Sequence, residues 1–290
     1  MLSPISSFLG PGFQPDIKWF SSVDSQKFLA DPFVAVRDGV TYMLCEEFDY
    51  RLHKGRIVCF KVDRGNIVST PEVVMNPPFH ISYPYLLKYN DDFYCIPETS
   101  RVHEISLYKA EDFPRNWRKI ETLVRNFSGI DGTVFQYGRF WWLICTDRDT
   151  GPDDKLYVWY ADDLFGPWKS HHGNPVKIDM SSTRPAGTPF QYEGYVYRPA
   201  QDCSEIYGGR IIINRLVKLT PSEFQEEPVA TISPHSEWPY PYGIHTISCT
   251  ANTTAIDGMR PRFIGSIPEF EYSLKRCASK YLLQHSFLSN

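Results

Sequence analysis

Apolar and polar positions alternate along most of the chain in short runs, broken by pairs rich in glycine, asparagine and aspartate. The run "ADPFVAVRDGVTYMLCEEFD" from Ala30 sets the pattern: a small or acidic start, an apolar strand, a turn, an aromatic-rich return and a polar end. It recurs as "SYPYLLKYNDDFYCIPETS" from Ser82, "GIDGTVFQYGRFWWLICTD" from Gly129 and "RPAGTPFQYEGYVYRPAQD" from Arg184. A period of two interrupted by a tight turn predicts an antiparallel hairpin each time. Asp31, Pro84, Asp131 and Gly187 hold comparable places, spaced by 53, 47 and 56 residues.

The intervening segments also resemble one another. "ISLYKAEDFPRNWRKIETLV" and "LYVWYADDLFGPWKSHHGNPV" both read as strand, acidic-aromatic turn, tryptophan and strand. Each unit therefore holds about four strands in roughly 50 residues, the size of a propeller blade. A fifth, partial unit follows at "YGIHTISCTANTTAIDG", and residues 17–20 are expected to supply its missing outer strands. The predicted fold is an all-β, five-bladed β-propeller over residues 1–265, with blade cores starting near 30, 82, 130, 184 and 243. The alternative is a β-sandwich with coincidental hairpins. Residues 266–290 form a C-terminal extension that could be a short helix.

Composition sharpens this picture. Of 290 residues, 15% are aromatic and 23 are proline, as a turn-rich β protein needs. A net charge of −4 argues against a nucleic-acid or membrane-surface binder. No apolar run approaches the ~20 residues of a membrane-spanning helix. The segment "MLSPISSFLGPGFQPD" lacks the basic start and apolar core of a signal peptide. Seven cysteines form no CxxC pair, and Cys45, Cys95 and Cys145 lie in apolar runs. Reduced, buried thiols and a cytoplasmic protein are expected, with no cofactor and no metal site. An axial ion such as calcium or sodium is left open. His171 and His172 fall in a turn expected to face solvent.

The hairpin geometry brings distant residues together. A hairpin returns to where it began, so every inner strand presents its start and its neighbour's end at one mouth of the axis. The starts carry Asp31, Tyr83, Asp131, Arg184 and His245; the ends carry Glu46, Glu47, Glu98, Asp147, Gln201 and Asp202. Crowded carboxylates repel, and burial drives some to higher pKa. One protonated acid beside one ionised acid is what glycoside hydrolysis requires. The expected roles are Asp31 as base or nucleophile, Glu98 as proton donor and Asp131 as orienter. Tyr83, Arg184, Asp202, His245 and Glu47 would bind substrate. Glu46 and Glu47 are adjacent on a strand, so at most one faces the axis. Turn chemistry is the plainer explanation of Asp31 and Asp131.

The motifs "FLADPF", "EEFDY", "HISYPY", "IPETS", "DGTVF", "RPAG", "YRPAQDCS" and "HT" span most of residues 28–258. On them the chain resembles the amino-terminal domain of glucosamine inositolphosphorylceramide transferases, a domain also found in bacterial proteins beside formyltransferase-like domains. More distantly it resembles the five-bladed propellers of family 43 glycoside hydrolases. That wider resemblance implies a general base at Asp31, a pKa-tuning and orienting acid at Asp131, and a histidine at His245 near a central ion or water. It implies a glutamate opening the fourth blade as general acid, but Arg184 stands near that place. The departure leaves two carbohydrate readings, beside a third in which the propeller binds a protein through its rim. One is a hydrolase or transglycosidase acting on a sugar or glycolipid headgroup. The other is a non-catalytic glycan-recognition or scaffolding module for a transferase partner.

Overall fold

The computed structural model describes residues 1, 3–20, 24–250, 252–260, 263–264 and 267–268. Of the expected C-terminal extension it describes only Ile267–Pro268, which pairs as strand with Phe263–Ile264, and the rest of the expected helix lies outside the described residues. The first blade contains β1 (Lys27–Arg37), β2 (Val40–Asp49), β3 (Lys54–Asp63), β4 (Asn66–Ile67) and β5 (Glu72–Met75). Strands β1 to β4 pair in chain order, and β5 adds to β3. The second blade is β6 (Ser82–Tyr89), β7 (Asp92–Glu98), β8 (Glu104–Asp112) and β9 (Arg115–Arg125). The third is β10 (Gly129–Tyr137), β11 (Phe140–Asp147), β12 (Lys155–Ala161) and β13 (Lys169–Ser170), with β14 (Lys177–Ile178) on β12. The fourth is β15 (Phe190–Tyr192), β16 (Tyr195–Asp202), β17 (Arg210–Leu219) and β18 (Phe224–Ile232). Within the blades the inner hairpins are antiparallel, as alternating sequences joined by two-residue turns dictate.

The described residues form four blades, not five. The fifth unit yields only a two-stranded hairpin, β19 (Ile247–Cys249) with β20 (Thr254–Ile256). Residues 17–20 do not extend it: Trp19 instead packs on Trp238 and Tyr240. The backbone of Met1 and Ser3 meets Thr254, and Ile5 is buried beside it in the same core as Ile244 and Ile247. The hairpin wedges between blades four and one. Ile247 exchanges backbone bonds with Ala186 and Thr188, while Ser248 Oγ donates to Pro32 O at 2.6 Å.

The cores are the seams between blades. Leu44 and Ile57 of blade one join Tyr85, Ile96 and Leu107 of blade two, and Trp141 and Cys145 of blade three. Trp142, Ile144 and Val158 of blade three meet Val196 and Leu216 of blade four. Adjacent Trp141 and Trp142 thus face opposite seams, as strand alternation requires. His171, expected in solvent, is only 3% exposed because the β13–β14 turn folds inward and its Nδ1 accepts the Gly173 N–H.

Candidate functional site

Each inner strand breaks its ladder just where the chemistry falls. The register slips between Ala30 and Phe33, Ser82 and Tyr85, and Ile130 and Thr133. At these bulges Asp31, Tyr83 and Asp131 adopt φ of 52°, 44° and 54°, and Gly187 adopts 119° in blade four. Tyr83, not Pro84, is therefore the second member of the series. A non-glycine residue here costs about 1–2 kcal/mol, so the surroundings must hold it. Bulges re-aim side chains beside sites, and these turn both aspartates toward the axis.

Asp31 is bound on every side. Its Oδ2 accepts the Tyr83 N–H at 3.1 Å, and its Oδ1 accepts the Thr246 hydroxyl at 2.7 Å and faces His245 Nε2 at 3.3 Å. The other imidazole nitrogen lies 3.0 Å from Asp257. Asp257 also accepts the backbone N–H groups of His245, Thr246 and Asp31. Burial pushes the Asp31 carboxyl up, but His245, Thr246 and the Tyr83 N–H outweigh it and hold it below its ordinary value. Burial likewise opposes the His245 charge, yet Asp257 and Asp31 hold that pKa well above the usual imidazole range. Asp31, His245 and Asp257 are close enough to share a cation, with ligand atoms within 4.8 Å. As arranged, the imidazole lies between the two carboxylates, its Nε2 toward Asp31 and its Nδ1 toward Asp257.

Asp131 forms the second cluster. Its Oδ2 accepts Arg184 Nε at 2.6 Å and Gln201 Nε2 at 3.1 Å, and Arg184 also reaches Asp153 at 3.1 Å. The guanidinium lies 4.9 Å from the Tyr207 ring centroid. Burial raises the Asp131 carboxyl to about 7, opposed by Arg184 and helped by Glu98 and Asp31. Arg184 is aimed by a buried strut: Arg198 bonds Glu226 twice and holds the carbonyls of Ser182 and Thr183 just ahead of it.

The glutamates resolve differently from expectation. Glu47 pairs with Lys27 at 3.1 Å and Arg56 at 2.8 Å, away from the axis, so it does not line the funnel. Glu46 shares the opposite face of β2 and is buried, with Asp31, Glu98 and Asp131 all acting on it. Burial, then Asp31 and Glu98, drive its carboxyl well above the ordinary range, and Oε1 has no hydrogen-bond partner. Glu98 accepts the Ser100 hydroxyl at 2.7 Å at the edge of the same cluster.

Two further expected substrate contacts are occupied. Tyr83 is fully buried; its hydroxyl pairs with Thr133 at 2.9 Å and accepts the Gly187 N–H at 2.8 Å, pinning three blades below the site. Asp202 is held by Arg210 at 2.7 Å and Ser204. Asp257, Asp153 and Glu46 complete the site. Their only sequence signal was acidity at a strand end or turn.

A propeller with an acid-lined axial site is the class that this fold and site define. The chain belongs to the family described as glucosamine inositolphosphorylceramide transferase 1, N-terminal, whose profile matches residues 19–237. It is similar to glucosamine inositolphosphorylceramide transferase 1 of Oryza sativa subsp. japonica, 34% identical over 208 residues. That match covers 70% of this chain but 28% of the relative, so the chain spans under a third of the relative's length. In fold it is similar to a family 117 glycoside hydrolase of the marine bacterium Zobellia galactanivorans (TM-score 0.58, 15% identity, covering 75% and 74% of the two chains). It is also similar to the catalytic domain of a Coprinopsis cinerea family 62 alpha-L-arabinofuranosidase (TM-score 0.59, 12% identity, covering 87% and 91%).

Proposed function

We propose that this propeller binds a sugar or glycolipid headgroup at the axial site and acts on a glycosidic bond by carboxylate acid–base chemistry. One observation carries the reading. Three buried carboxyl groups from two blades, with the half-buried Glu98 of a third blade acting on them, are driven apart in protonation: Asp31 down, Glu46 and Asp131 up. Groups separated in this way divide the roles of acid and base. Asp31, ionised at neutral pH, is the base or nucleophile; Asp131, anchored by Arg184, orients the sugar. The proton donor is one of the two glutamates facing them, Glu46 or Glu98. The names of the relatives, a glucosamine inositolphosphorylceramide transferase, a family 117 glycoside hydrolase and an alpha-L-arabinofuranosidase, agree with a sugar-containing ligand.

The experiment is a screen of aryl glycosides and glycan arrays with wild type, Asp31→Asn and Asp131→Asn. Turnover by wild type that falls roughly 10²–10⁴-fold in Asp31→Asn is expected. Neither binding nor turnover across both panels overturns the reading.

A second reading rests on the closed bonding of Asp31 and on Arg184 standing where an acid is expected. Under it the site recognises a glycan for a transferase activity carried elsewhere. Array binding by wild type, weakened in Asp31→Ala with no turnover by either protein, decides for it.

A further inference from the structure

Resting on the hydrolytic reading, the geometry points to Glu46 as the proton donor of the site and to His80 as its positioning residue. Glu98 has an oxygen already engaged by Ser100, whereas no group in the described structure bonds Glu46 Oε1. The Glu46 side chain keeps 8% exposure, and that exposure lies outside the sealed Oε1. Oε1 therefore faces protein, and the remaining exposure falls elsewhere on the side chain.

The protein facing Oε1 is shaped to it. A Cβ on Gly55 would stand 2.2 Å from Glu46 Oε1 and 2.6 Å from the Ile81 carbonyl, so only glycine leaves the carboxyl its place. The same Gly55 donates its backbone N–H to His80 Nδ1 at 2.9 Å. That bond requires an unprotonated Nδ1, so in the neutral ring the proton sits on Nε2. Nε2 faces Glu46 Oε1 across 3.8 Å, too far for a hydrogen bond. Burial, with Arg101 and Arg148, opposes a charge on His80 more strongly than Glu98 and Asp31 favour one. Neutral imidazole and neutral carboxyl therefore stand apart at rest.

Proton transfer changes this. As the glycosidic C–O bond breaks, the leaving oxygen takes the Glu46 proton while Asp31 accepts one from the attacking water. The new Glu46 carboxylate is repelled by Asp31, Glu98 and Asp131 and favoured by His245, and closing the 3.8 Å to His80 Nε2–H gives it a hydrogen bond. A hydrogen bond absent at rest and formed as charge develops favours the transition state over the ground state.

Glu46 protonation is read by carboxyl-stretch infrared difference spectra of wild type against Glu46→Gln at pH 7. The expected result is a protonated-carboxyl band that the variant lacks. Kinetics on paired substrates then separate donor from scaffold. Glu46→Gln should lose roughly 10²–10⁴-fold on an alkyl glycoside and keep most activity on a dinitrophenyl glycoside, whose leaving group needs no proton. His80→Ala should lower kcat with little change in KM and should shift the alkaline limb of the pH profile upward. An ionised Glu46 at pH 7, or equal losses on both substrates, overturns the assignment while leaving the hydrolytic reading intact. No turnover by wild type on either substrate overturns that reading and the assignment with it.

Discussion

At the scale of single residues the site is a set of protonation states imposed by burial, so its stability must respond to pH. Asp131 and Glu46 have folded pKa values above their unfolded ones, and so does His245. Each contributes stability that is complete below its unfolded pKa and is lost as pH rises through its folded value. For Asp131 that window runs from the ordinary value of 3.8 to about 7. Asp31, shifted down, works at the other end: its contribution holds above about pH 4 and fades as pH falls. Urea denaturation across pH 4–9 should therefore show maximum stability on the mildly acidic side and a decline through neutrality. In Asp131→Asn the decline between pH 4 and 7 should flatten. A wild-type curve level from pH 5 to 8 contradicts these shifts. Gly55→Ala tests the same chemistry sterically. With two contacts far inside van der Waals range it should cost about 1–3 kcal/mol and displace Glu46. Denaturant midpoints and the infrared band of Glu46 measure both effects.

At the scale of elements, the inner-strand bulge is the unit that turns a blade into a contributor. Hairpins were legible in the chain because alternation and turn residues are local signals, and each of the four blades contains an antiparallel hairpin at such a turn. The bulges were not legible, because Asp31-Pro32 and Asp131-Gly132 read equally well as a turn at a strand entry. Nor was the choice between Glu46 and Glu47. Alternation says they face opposite ways, but only packing says that the Leu44 side of β2 meets blade two and the axis. Asp257 was missed because its partner in the first blade, Asp31, is 226 residues away and meets it only when the ring closes. The fourth-blade member of the series carries its own prediction. A Cβ on Gly187 would lie 1.7 Å from the Ile247 carbonyl, at a φ of +119°. Gly187→Ala should therefore break the seam between blade four and the β19 hairpin and destabilise by about 3 kcal/mol or more. Tyr83→Phe, which strands the Gly187 N–H, should cost about 1–3 kcal/mol at the same seam. Thermal denaturation ranks the two, and a silent Gly187→Ala would show that the seam yields.

At the scale of the molecule, the groups that build the site also close the ring. A propeller must join its last element to its first. Here Thr246 and His245 ahead of β19 bind Asp31 of β1, Asp257 beyond β20 binds the Asp31 amide, and Ser248 binds the Pro32 carbonyl. Three of these four links run through the residue proposed as the base. Closure and chemistry cannot then be tuned separately. Asp257→Asn tests this, because a carboxylate accepts on both oxygens, whereas an amide must turn an NH₂ toward donors already present. Removing one partner of a buried pair costs about 3–5 kcal/mol. The loss should be local first: in hydrogen exchange, β19 amides should lose protection well before those of β8 and β9, across the ring from the closure. A ligand from the glycan screen that binds Asp31 and its neighbours should raise β19 protection in wild type, and raise it less in Asp257→Asn. Unchanged β19 exchange in the variant would separate closure from site, and Asp31, His245 and Asp257 would then be a binding feature alone.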